Sequence, residues 1–136
     1  MANISYTISL RIMHPIMKYQ DISRLLSMKP RVASNVGEPR ENPPGRLLGG
    51  VYGFTFCTFE LIEKNAGFFT DGIVEVLSRL AAHRQLLQSI SDTGGSSELY
   101  VGVFTDADTA GFTIGVEMME AFADLHLQLS TQFYCS

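Results

Sequence analysis

A chain of 136 residues, 46% hydrophobic and 18% charged, has room for one domain with a sizeable core and is too apolar for global disorder. Its net charge of −4 argues against nucleic acid as a partner, because phosphate binding needs a basic surface or a dense basic patch. No apolar run approaches the ~20 residues of a membrane span. The alternating start MANISYTISLRI is not the basic-then-apolar pattern of a signal peptide, so the expected setting is cytoplasmic and away from membranes.

The first expected element is a strand over residues 4–13. Ile4, Tyr6, Ile8, Leu10 and Ile12 fall on one face, Ser5, Thr7, Ser9 and Arg11 on the other, and this period of two means one buried and one wet face. His14-Pro15 ends it, since proline donates nothing to a ladder. A short helix over 19–27 follows, with Ile22, Leu25 and Leu26 as its apolar stripe and Pro30 limiting its extension. Residues 28–46 then read as a long polar crossover, holding Pro30, Pro39, Pro43 and Pro44 of the chain's five prolines.

VYGFTFCTFELI, residues 51–62, reads as a second strand with both faces apolar enough to be covered. A helix from Thr70 or Asp71, either of which offers a capping oxygen, carries the stripe Ile73, Val76, Leu77, Leu80 and Ala81. The stripe slips at His83-Arg84 and resumes at Leu86, Leu87 and Ile90, which predicts a kink or two consecutive helices. After the turn at 91–97 come a strand over 98–104, the turn TDADTAG, a short strand over Phe112–Ile114, a helix from Val116 to about Leu125 and a last strand over 126–134. In that last strand Leu127, Leu129, Thr131 and Phe133 oppose His126, Gln128, Ser130 and Gln132. The polar faces of the first and last strands rule out a parallel sheet covered on both sides.

The residues that carry chemistry do not cluster. His14, His83 and His126 share no HxxxH or HxH spacing, so no metal is expected. Cys57 and Cys135 have no CxxC pattern and read as two buried free thiols; a thiol inside a strand lacks the exposure and positive neighbour that activate a nucleophile. Asp106, Asp108 and Glu117 have an EF-hand outline, but Ala110 and Phe112 occupy its fifth and seventh positions, and turn-forming aspartates are the better reading. Arg31, Glu38 and Arg40 in the crossover are the candidate ligand contacts, since arginine forks suit carboxylate and phosphate. There is no GxGxxG or GxxxxGK[ST], and hence no cofactor to expect.

The order of several segments resembles an uncharacterised bacterial family known as domain of unknown function 4279. They are SYTISLRI at the start, DISRLLSMKP with its leucine pair and following proline, GEPR at 37–40, and the ending GFTIGVEMMEAFADLHLQLSTQFY with its Tyr134. The family often carries tryptophans around the strand after the crossover. This chain has none, and Tyr52 and Phe54 take that space. The resemblance implies an α+β fold and no particular reaction.

Together these readings predict a single domain over 1–136: a two-layer α+β sandwich, its mixed or mostly antiparallel sheet of about four or five strands carrying roughly two to four helices on one face. The expected function is a non-enzymatic protein-binding module, of immunity type or self-associating, with Arg11, His126, Gln128 and Gln132 as the partner face and a protein or a second copy as partner. The alternative is a small-ligand-binding protein or enzyme that uses the 28–46 loop.

Overall fold

In the computed structural model, residues 3–42, 45–108 and 111–135 are described. Pro43-Pro44 and Thr109-Ala110, expected as turn residues, lie outside them.

The alternating pattern of the first strand places it at the centre. β1 (Ile4–His14) buries Tyr6, Ile8, Leu10, Ile12 and His14 on one face. Full burial of a leucine or isoleucine side chain is worth about 1.5–3 kcal/mol, so this row alone anchors the layer packing. β1 is flanked by β5 (Thr55–Ala66) and β6 (Ser96–Thr105), both antiparallel to it. Beyond β5 lies β2 (Val32–Ser34), and beyond β6 lies β7 (Leu127–Cys135), which pairs in parallel. The main sheet therefore has the order β2-β5-β1-β6-β7 and is mixed through one pair of strands. β3 (Pro39–Asn42) and β4 (Arg46–Val51) form a separate antiparallel hairpin.

The helices cover one face. α1 (Tyr19–Leu26) lies on β5, α2 (Phe69–Leu80) on β1, α3 (Arg84–Asp92) on β6, and α4 (Val116–Asp124) beside β7. Gly72 lets α2 come down onto the sheet: a Cβ there would stand 2.5 Å from the Tyr6 ring. The expected slip at His83-Arg84 is a 3-10 turn over Ala81–His83 between α2 and α3.

Several expected elements are corrected. The 51–62 strand breaks at Tyr52–Phe54: Val51 ends β4, and β5 starts at Thr55. Thr70 and Asp71 do not cap α2, which starts at Phe69 after an extended Phe68 with no side-chain cap bond. Phe112–Ile114 is not a strand; Phe112 instead sets its ring edge-on to Phe69, 4.8 Å between centroids, closing the layer between α2 and β7. Cys57 is buried, but Cys135 is exposed at the end of β7, so the two thiols are not both core residues.

The 28–46 crossover is more structured than its prolines suggest, and Asn35 organises it. Its buried Oδ1 accepts from the Tyr19 amide (2.7 Å) while its Nδ2 donates to Gln20 Oε1 (2.8 Å). The first turn of α1, left uncapped by Lys18, is thus capped from the crossover. Helix start and loop path are tied together by one side chain.

Candidate functional site

The polar face of the sheet, opposite the helices, is built as side-by-side ranks fixed by strand register. The first rank crosses all five strands: Val32, Thr58, Arg11, Glu98, Gln128. The next holds Glu60, Ser9, Tyr100 and Ser130, followed by Thr7, Gly102 and Gln132, and then Ser5, Phe104 and Tyr134.

Contacts link these ranks into one patch. The Arg11 guanidinium lies 3.7 Å from the centroid of the Tyr100 ring, and its Nη1 is 3.7 Å from Glu98 Oε1. The Tyr100 hydroxyl donates to Gln132 Oε1 at 2.8 Å. Its oxygen also lies 2.8 Å from the Tyr134 hydroxyl. That bond and partial burial hold the Tyr100 phenol above its ordinary pKa, against the smaller opposite pull of Arg11, so the hydroxyl stays protonated. Tyr134 reaches Tyr100 across Gly102: a Cβ there would meet Thr7 Oγ1 at 2.9 Å and the Tyr134 ring at 3.5 Å. The Tyr134 ring also stacks on Phe104, 4.9 Å between centroids, and Lys64 Nζ lies 4.3 Å from the centroid of Phe104.

Two hollows flank the patch. One, of about 310 Å³, is lined by Ser9, Arg11, Arg31, Thr58, Glu60 and Tyr100 among others. The other, of about 390 Å³, lies by Lys64, Phe104, Asp106 and Tyr134.

The structure regroups the residues expected from sequence. Arg11, Gln128 and Gln132 lie on the open face by register, whereas His126 precedes β7 and has no place in that register. It sits in a left-handed turn (φ 56°) between α4 and β7, its amide bonded to the Ala123 carbonyl, and the strand starts one residue later. Arg31, Glu38 and Arg40 do not come together either. Arg31 pairs with Glu60 at 2.7 Å and lines the first hollow beside Arg11, while Glu38 and Arg40 stand on the exposed hairpin side. Tyr100, Phe104, Tyr134, Lys64, Glu60 and Glu98 were missed. The signal for three of them was available: in ELYVGVF, residues 98–104, the parity of Leu99, Val101 and Val103 leaves Glu98, Tyr100 and Phe104 on the opposite face.

The remaining titratable groups serve the fold. His14 is buried at the β1 terminus, where its Nδ1 accepts from the amides of Ile16 (3.0 Å) and Met17 (2.9 Å). Nε2 must then carry the proton and donate to Thr93 Oγ1 at 2.7 Å, and that hydroxyl in turn donates a hydrogen bond to the Ser89 carbonyl. Burial lowers the His14 pKa. Desolvation pushes the Cys57 thiol up to about 12, which makes it inert as a nucleophile. Asp106 accepts from the amide (2.7 Å) and side chain (3.3 Å) of Asn3 and so ties the start of β1 to the end of β6. His83 borders a groove of about 640 Å³ between α1 and α3. Among the described residues no three His, Cys, Asp or Glu side chains are placed to hold a metal, and no helix is long and apolar enough to cross a membrane.

A mixed α+β sheet with one helix-covered face and one side-chain-decorated open face defines the class. The chain belongs to the family described as domain of unknown function DUF4279, whose sequence profile matches residues 4–136. No curated protein and no solved structure matches it.

Proposed function

We propose that the protein is a protein-binding module that uses its open sheet face. The observation that carries this reading is the connected chain Arg11–Tyr100–Tyr134–Phe104–Lys64, held by contacts of 3.7, 2.8, 4.9 and 4.3 Å on a surface left in water. Arginine, tyrosine and other aromatic residues dominate the energetic centres of protein interfaces, because they bring large contact area with little side-chain entropy to lose. Here they are already oriented by one another, so the ordering cost on binding is reduced. An immunity-type role, masking another protein's surface, fits a small acidic domain of this shape. Capture by the immobilised protein, compared between wild type, Arg11→Ala/Tyr100→Ala and the helix-side control Glu75→Ala, tests it. A partner lost only with the face variant is expected; a partner retained by it overturns the reading.

A second reading is favoured by one observation: Arg11 and Arg31 line the same hollow together with the hydroxyls of Ser9 and Thr58. A small carboxylate or phosphate ligand that displaces Glu60 or Glu98 from these guanidinium groups fits there. Thermal stabilisation by such a ligand, abolished by Arg31→Ala, is the expected sign.

A further inference from the structure

The two edges of the sheet are protected very differently. At one end β2 has only three residues, Val32–Ser34, preceded by the charged Arg31. Short length and charge are the usual devices that stop a sheet from pairing with another chain. At the other end β7 runs for nine residues, LQLSTQFYC, with no charge and no proline. Its sole strand partner among the described residues is β6, and no backbone group of residues 128–134 bonds outside that ladder. Half of its backbone donors and acceptors therefore face outward with no partner among the described residues. On the helix face, Leu129 and Phe133 pack against the core yet stay only partly buried, with the Phe112 ring stacked on Phe133 at 6.1 Å between centroids.

We propose that β7 pairs antiparallel with β7 of a second copy, on a two-fold axis through Thr131, joining two five-stranded sheets into one of ten strands. Three observations select a second copy as the occupant. First, with Thr131 on the axis all nine residues overlap, the longest register available to this strand. Second, every pair in that register matches in character. Leu129 meets Phe133 of the second copy and Leu127 meets Cys135 on the helix face; Ser130 meets Gln132 and Gln128 meets Tyr134 on the open face. A two-fold interface must be complementary to itself, and this strand is. Third, pairing brings no like charges together along the strand, although each chain carries a net charge of −4. The pairing also continues the open face across both copies without covering it, so it does not rest on the partner reading above.

The register gives a charge-swap test. Light scattering on the eluting protein is expected to give about twice the 15.0 kDa of one chain. Ser130→Glu with Gln132→Glu sets like charges across the axis twice and is expected to give the single-chain mass. Ser130→Glu with Gln132→Lys sets opposite charges at the same positions and is expected to restore the double mass. Matching circular dichroism and melting of the two variants excludes misfolding as the cause of a lost dimer. A single-chain mass for the wild type at hundreds of micromolar, the same mass for both variants, or a dimer that survives the double glutamate overturns the proposal. Arg11→Ala/Tyr100→Ala, the variant that tests the partner face, is expected to leave the mass unchanged, so the two ideas fail separately.

Discussion

Leu10 and Arg11 are neighbours in β1, yet they belong to two different kinds of packing. Leu10 is fully buried under the helices; Arg11 lies on the open face between Glu98 and Tyr100 with its side chain 38% exposed. On the helix side, contact removes apolar surface from water, and the gain scales with the area buried. On the open side, contacts are made in water: an exposed cation–π pair contributes about 0.5–1 kcal/mol and an exposed ion pair about 0–1 kcal/mol. One face holds the fold together; the other is arranged at little energetic expense.

The sharpest way to break this comparison is to truncate both neighbours. Leu10→Ala is expected to lower unfolding stability in urea by about 2–5 kcal/mol, through lost transfer energy and a cavity. Arg11→Ala is expected to cost less than about 1 kcal/mol. Equal losses would mean that the open face is part of the core after all.

Gly95→Ala tests how tightly the helix side is set. Its Cβ would stand 2.6 Å from the Met13 carbonyl, a backbone atom that cannot swing away, and 2.7 Å from the His14 ring. A loss of about 1–3 kcal/mol is expected, as for other overpacked sites. Gly102→Ala on the open face meets Thr7 Oγ1 at 2.9 Å, an atom that can rotate, and a smaller loss of melting temperature is expected.

His14 adds a pH dependence to the helix side. Its folded pKa is lowered, so the unfolded chain takes up the proton first. Stability is then full above the ordinary value of 6.5 and falls as the pH drops below it towards the folded pKa. Urea midpoints measured between pH 5 and 8 should show this slope. His14→Asn keeps an acceptor near the Nδ1 position but does not titrate, and should flatten it.

The smallest effect is expected at Ser97, whose buried hydroxyl has no hydrogen-bond partner among the described residues. Ser97→Ala should leave stability unchanged or raise it by up to about 1 kcal/mol, because an unsatisfied polar group leaves the interior.

Much of the layer architecture was legible because β1 and β7 alternate strictly and the helices carry apolar stripes. Boundaries failed where tertiary contact replaced local signals. α1 is capped by Asn35, sixteen residues after Tyr19, rather than by a residue before it, and α2 starts without either expected cap. Parity in the sequence puts His126 on β7, but the chain leaves α4 through a left-handed turn at that residue. Proximity in sequence groups Arg31 with Glu38 and Arg40, whereas β2 pairing carries it to Thr58 and Glu60 on the open face.

Local sequence by itself determined which residues face the core, since a period of two or 3.6 is a property of the backbone and needs no partner. It also determined the α+β class and the presence of one wet sheet face. Only the tertiary structure decided the strand order, and with it the meeting of Arg11, Tyr100 and Tyr134 from three different strands. The register between strands distant in sequence depends on the summed packing of the helix layer, and no single segment encodes that sum.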